Sequence, residues 1–162
     1  MVSEPWVVNS SPLIVLARIS QIDLLIKLGN ALIIPEGVAQ EIDCGPATDP
    51  ARNWLRETGV SFVRKAPMVH STIGGWDLGL GESEVLAMAW KMPGAMAILD
   101  DKAARQCASS LQIPILGTLG ILWRAKKAGF ISALRPFFAS LVKEGFRIDE
   151  KILTSLMQQA GE

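Results

Sequence analysis

Residues 97–105 read AILDDKAAR, an apolar run that meets two adjacent carboxylates, Asp100 and Asp101, where a helical pattern begins. Aspartate is among the best N-cap residues, so one of the two suits the start of that helix. The other exceeds what a cap requires, and further carboxylates stand in comparable places. Glu41, in PEGVAQEI (35–42), lies three residues beyond Val38 and so borders the apolar stripe of Val38 and Ile42, whereas Glu36 points to nearly the opposite side. Glu82 and Glu84 fall in the first turn of the almost wholly apolar GLGESEVLAMAW (79–90). Carboxylates at the start of so apolar a helix must be paired, stand at a rim or bind a cation. Taken singly, each acid has a plain structural job. Asp101 can cap or pair with Arg105 four residues on, and Glu82 and Glu84 can complement a helix N-terminus. As a set they imply more. Clustered carboxylates raise one another's pKa, and a hard divalent cation relieves the repulsion. Magnesium and manganese take oxygen ligands and work with phosphates, so the implied chemistry is metal-dependent cleavage of a phosphodiester.

The elements that must position these groups are legible from pattern. WVV (6–8), LII (32–34), VSFV (60–63), AMAIL (95–99) and IPIL (113–116) read as strands. Helical patterns cover 11–28 with a break near Ser20, then 36–43, 49–58, 82–92, 102–111, 118–128, 134–144 and 149–160. Such alternation predicts an α/β fold, a parallel sheet of about five strands with helices on both faces. In an open parallel sheet, ligands bind beyond the carboxyl ends of the strands. The polar residues there are Asn9, Ser10 and Ser11 after the first strand and Asp100 and Asp101 after the fourth. If those strands are neighbours, the two groups meet. The glycine-rich segment 65–81 reads either as a loop over the site or as a plain connector.

Length and composition bound the rest. The 162 residues suit one domain over 1–162, with the helices at 134–160 packed on it, and 49% apolar residues supply a core. Sixteen basic and sixteen acidic residues cancel, so any polyanion must be held by a local patch. Cys44, Cys107 and a single histidine, His70, are too few soft ligands for a zinc site. SPLIVLARI (11–19) is too short to span a bilayer, and Arg18 interrupts it, so the chain reads as cytoplasmic with no membrane partner.

The ordered series VVNSSPLIVLARI, LIIPEGVAQEI, GLGESEVLAMA, AILDDKAARQCA and ILGTLGILWRAKKAGFI, over nearly the whole chain, resembles the PIN-domain superfamily, in particular its VapC-toxin-like prokaryotic branch. The resemblance implies a three-layer α/β fold, an acidic Mg2+ or Mn2+ site and an endoribonuclease acting on single-stranded RNA, often silenced by a small antitoxin protein. It places the four acidic positions on Asn9, Glu41, Glu84 (with Glu82 adjacent) and Asp101 (with Asp100 beside it), and a small hydroxyl residue on Ser11. Asn9 departs from the usual aspartate. It keeps a carbonyl oxygen for a metal but brings no charge, so a disabled scaffold that binds RNA or protein is the alternative.

A nuclease must also hold a polyanion. Lys102 and Arg105 flank the acidic pair, and RAKKAG (124–129) supplies Arg124, Lys126 and Lys127, which could equally complement a helix C-terminus. Trp76 could stack on a base or pack, while Trp6, Trp54, Trp90 and Trp123 read as packing residues. RPFFASLVKEGFRI (135–148) puts Phe137, Phe138, Leu141 and Val142 at helical spacing, which suits core, a homodimer face or an antitoxin groove alike. A receiver-like phosphoacceptor domain is disfavoured, because NSS and RK stand where its aspartates belong, and no GxxxxGK[ST] is present for a P-loop.

Overall fold

A computed structural model describes residues 4–162. Five parallel strands lie in the order β3-β2-β1-β4-β5: β1 (Pro5–Val8), β2 (Ala31–Pro35), β3 (Val63–Arg64), β4 (Met96–Ile98) and β5 (Ile115–Leu116). β1 and β4 are neighbours, with Trp6, Val7 and Val8 opposite Met96, Ala97 and Ile98. The chain leaves β1 for β2 and β3 on one side, then returns to β4 on the other. The boundary between β1 and β4 is therefore a topological switch point, where the loops diverge and leave a crevice.

The central strands are buried on both faces. Trp6, Val7, Ala97 and Ile98 are wholly inaccessible, as a parallel sheet covered by helices requires. Ten α-helices fill the intervals among the described residues. The break near Ser20 falls between α1 (Ser10–Arg18) and α2 (Leu24–Leu28), and Ser20 takes a left-handed φ of 60° that ends the first helix. Then follow α3 (Glu36–Asp43), α4 (Pro50–Glu57), α5 (Ser71–Gly74), α6 (Leu80–Lys91), α7 (Lys102–Ser110), α8 (Thr118–Lys127), α9 (Arg135–Lys143) and α10 (Glu150–Ala160). Asp49 caps α4 through Ala51 N–H and receives Arg18 of α1 at 2.8 Å, which ties those two helices together.

Two expectations change. VSFV is mostly a 3-10 turn over Gly59–Phe62, and β3 is only the two residues that follow. The segment 65–81 is no open loop. It carries α5, started by His70 Nδ1 accepting from Thr72 N–H and anchored by the fully buried Ile73. Trp90 departs from its packing role. It is 41% exposed, with His70 edge-on at 5.7 Å. Trp6 is buried and Trp54 stacks on Phe62. At the C-terminal end, Phe138, Leu141 and Met157 join the core, whereas Val142 stays exposed.

Candidate active site

Asn9 follows β1 and occupies the N-cap position of α1. Its N–H donates to Ile98 O of β4 at 3.1 Å, pinning it at the switch point. Only 3% of the residue is exposed, and its Oδ1 is buried without a hydrogen-bond partner. An N-cap oxygen normally accepts from the second or third helical N–H. Here the third residue is Pro12, which has no N–H to give. A buried acceptor left unmatched costs about 1–3 kcal/mol, so this oxygen invites an electrophile.

Glu41 comes from the last turns of α3. Its Oε2 accepts from Ser10 Oγ at 2.8 Å and its Oε1 from Gly81 N–H at 2.9 Å. Three separate segments are thereby joined: the start of α1, α3 and the first turn of α6. The converse contact also exists, because Glu84 of α6 accepts from Gly37 N–H in the first turn of α3 at 2.6 Å. Each helix start thus receives a carboxylate from the other helix, where unpaired N–H groups and the dipole favour it. Glycine leaves room for the arriving carboxylate at both positions. A Cβ on Gly37 would stand 2.5 Å from Glu84 Oε2, and one on Gly81 would stand 2.7 Å from Glu41 Oε1.

Glu84 is thus engaged at the start of α3, and Glu82 is the member of that pair that belongs electrostatically to the rim. Burial pushes the Glu82 carboxyl above its ordinary range, and the charges of Asp101 and Glu41 push it further, against a weak hydrogen bond from Gly79 N–H. Asp101 caps α7 by accepting from Ala104 N–H at 2.9 Å while remaining exposed. Asp100 does different work. Its Oδ1 accepts from Thr118 N–H at 2.8 Å and its Oδ2 from Thr118 Oγ1 at 2.6 Å, holding the start of α8. Burial raises the Asp100 carboxyl, while Thr118 and Arg105 act against the rise. Both aspartates therefore serve helix starts, and of the two Asp101 is the one that faces Glu82.

Ser10, Glu41 and the start of α6 are joined by hydrogen bonds, Glu82 lies within electrostatic reach of Glu41 and Asp101, and Asn9 precedes Ser10 at the switch point. Among the described residues, no three His, Cys, Asp or Glu side chains form a preformed metal cage. Magnesium does not need one, since it keeps several waters and is commonly held by one or two carboxylates together with substrate phosphate. The donors present fit that manner of binding: hard oxygens, one of them the unmatched Asn9 carbonyl, beside an acidic rim.

Of the basic residues, Lys102 and Arg105 flank the rim on α7, and Arg105 Nη1 donates to Leu99 O at 3.2 Å. Ser11 is exposed beside Ser10. Arg124, Lys126 and Lys127, in the last turn of α8, each have a partner within the protein. Arg124 binds Glu4 at 3.0 Å beside the Trp6 ring, at the amino edge of the sheet, opposite the crevice. Lys126 binds Glu162 at 2.8 Å, and Lys127 lies over Trp123. Trp76 is 39% exposed. Sequence reasoning missed Gly37, Gly81, Ser10 as the partner of Glu41, and Thr118. Glycines two residues into a helix, each facing a distant glutamate, were the available signal, though it needs the fold to interpret.

A crevice of oxygen donors at the switch point of a five-stranded parallel sheet is the architecture of a nuclease-like α/β domain. A family model described as a PIN domain matches residues 5–162, and the chain belongs to that family. PIN domains are typically metal-dependent nucleases that bind nucleic acid and use Mg2+ or Mn2+. No curated protein matches the chain. Among the described residues, no helix is long and apolar enough to cross a membrane.

Proposed function

We propose that this protein is a Mg2+- or Mn2+-dependent endoribonuclease, the toxin of a toxin–antitoxin pair, acting in the cytoplasm on RNA and restrained by a small antitoxin protein. The observation that carries the nuclease reading is the buried, unmatched Asn9 Oδ1 at the switch point, beside a rim where Asp101 and Glu41 raise the proton affinity of Glu82. Asn9, Glu41, Glu82 and Asp101 would hold the metal, and Glu84 positions α3 and hence Glu41. When bound, the metal supplies polarisation of the attacking water and charge stabilisation at the leaving oxygen. The chain's own groups prepare the site. Ser10 O–H and Gly81 N–H orient the Glu41 carboxylate, Ala104 N–H orients Asp101, and Lys102, Arg105 and Ser11 flank the path of a phosphate.

A second reading is favoured by one residue. Asn9 is neutral where the acidic pattern of the resembled family has aspartate, and a site one charge short polarises water less. The chain would then be a PIN scaffold that binds RNA or protein without cleaving. One experiment separates the two: RNA cleavage with Mg2+, Mn2+ or EDTA by the parent, Asn9→Asp and Asp101→Asn, beside a calorimetric Mn2+ titration. Cleavage that needs the metal and is lost in Asp101→Asn establishes the nuclease. Cleavage by Asn9→Asp alone establishes the disabled scaffold, and no Mn2+ binding by any of the three removes the metal site.

A further inference from the structure

A cavity lies beside the crevice and outside it. It is a groove of about 950 Å³ floored by the edge strand β5 and walled by α7, the start of α8, residues 146–149 and α10. Its size is at the upper end of the range for small-ligand sites. The walls are mixed in a particular way. Leu119, Ile152 and Phe146 give the groove apolar surface, and Lys102, Arg105 and Arg147 line it as well. The two acids that touch the groove are already engaged. Asp100 is held by Thr118, and Asp149 accepts from the N–H groups of Lys151 and Ile152. Lys102 and Arg147 have no ion pair among the described residues. Three cations stand against two acids in the groove, a formal excess of one positive charge in a molecule whose overall formal charge is zero. The groove adjoins the crevice along the chain, because Asp101 stands between Asp100 and Lys102, both of which line the groove.

We propose that this groove seats the single-stranded RNA segment leading to the carboxylate crevice, with Lys102 and Arg147 on phosphates and a base against Phe146. The inference rests on the nuclease reading and adds a path for the substrate. Cationic side chains beside an aromatic one are the arrangement that holds single strands without choosing sequence, since every base has a face to stack and every linkage a charge. Ile152, 51% exposed on the groove wall, gives the base a second apolar surface.

The test is binding in EDTA, where no metal chemistry contributes, using a fluorescein-labelled single-stranded RNA dodecamer over a series of salt concentrations. Arg147→Gln is expected to weaken binding several-fold and to lower the slope of log K against log salt by about 0.7, the amount for one phosphate contact on a single strand. Phe146→Leu, which keeps an apolar side chain at a position packed on the core, is expected to weaken binding without changing that slope. Lys143→Gln on α9, exposed and away from the groove, is expected to bind like the parent. Thermal melts of each variant establish that it is folded. If the parent binds RNA and both groove variants bind equally well, the inference is overturned while the nuclease reading stands. If the groove variants lose binding but no protein cleaves with Mn2+, the groove stands and the nuclease reading falls. A parent that binds no RNA in EDTA overturns the inference and leaves the groove to a protein segment.

Discussion

Three acids near the crevice, Glu82, Glu84 and Asp101, do different work, and conservative substitutions separate them. Glu82→Gln removes a charge from the rim where Asp101 and Glu41 crowd it, so Mn2+ affinity measured by calorimetry is expected to fall while the melting temperature holds or rises. Glu84→Gln is expected to do the reverse. It weakens the hydrogen bond to Gly37 N–H, where a charged acceptor is worth about 1 kcal/mol more than a neutral one, and chemical denaturation is expected to register that loss with metal affinity largely kept. Asp101→Asn retains the α7 cap, since asparagine caps about as well as aspartate, yet is expected to lose metal-dependent cleavage. Equal behaviour of Glu82→Gln and Glu84→Gln in both assays would contradict the division drawn here. The two thiols also differ. Cys107 is fully buried, which pushes its thiol up, and Cys44 is exposed. A chromogenic disulfide reagent is expected to modify Cys44 at once and Cys107 only on unfolding.

At the scale of elements, the pair α3 and α6 is the unit that builds the site. Each supplies a carboxylate to the other's first turn, and each has glycine where that carboxylate arrives. Gly81→Ala sets two effects against each other. Alanine favours the helix by up to about 1 kcal/mol over glycine. The new Cβ, however, displaces the end of a flexible side chain, and with it a hydrogen bond to a charged group worth about 1.5–3 kcal/mol. The balance is a net destabilisation on the order of 1 kcal/mol. The larger effect is expected in function, because Glu41 is moved away from Ser10 and the crevice. Mn2+ titration of Gly81→Ala beside its denaturation curve checks both halves, and unchanged metal affinity would show that Glu41 need not be held by α6.

At the scale of the molecule, the Glu162 carboxylate helps to fasten a C-terminal helix that also packs on the core through Met157. Glu162 accepts from Lys126 Nζ and from the N–H groups of Leu134 and Arg135, which together hold its carboxyl at about 2, well below the usual range. A carboxyl depressed in the folded state contributes stability at pH values above its ordinary pKa and loses it as pH falls through the folded value. Glu162→Gln is therefore expected to be less stable than the parent at pH 7. The two are expected to converge as pH falls from about 4.5 toward about 2 in denaturant titrations. A difference that persists undiminished at the acid end would assign the effect to packing rather than charge.

Much of this molecule is written locally. The periodicity of 36–43 corresponds to a helix with those bounds, α3, and the apolar runs at 6–8 and 32–34 lie within strands, because patterns of burial repeat with the geometry of each element. Asn9 directly follows β1 and Asp101 stands in the short link between β4 and α7, and strand ends in a parallel sheet share one edge, so the sequence could expect both near the crevice. The tertiary structure decided what spacing could not. Glu82 and Glu84 are two residues apart on one helix, and nothing local says which faces the rim and which reaches Gly37. That choice depends on where α3 lies, 47 residues away in the chain along the Glu84–Gly37 bond. Asp100 and Asp101 look alike in sequence, yet Thr118 arrives from the next strand-helix unit and engages the first. Arg124 to Lys127 form a basic run in the chain, but a helix turn directs each to a different partner, and Glu4 and Glu162 reach two of them only after folding. Sequence distance determines secondary structure, and the convergence of distant segments determines which charges remain to bind a ligand.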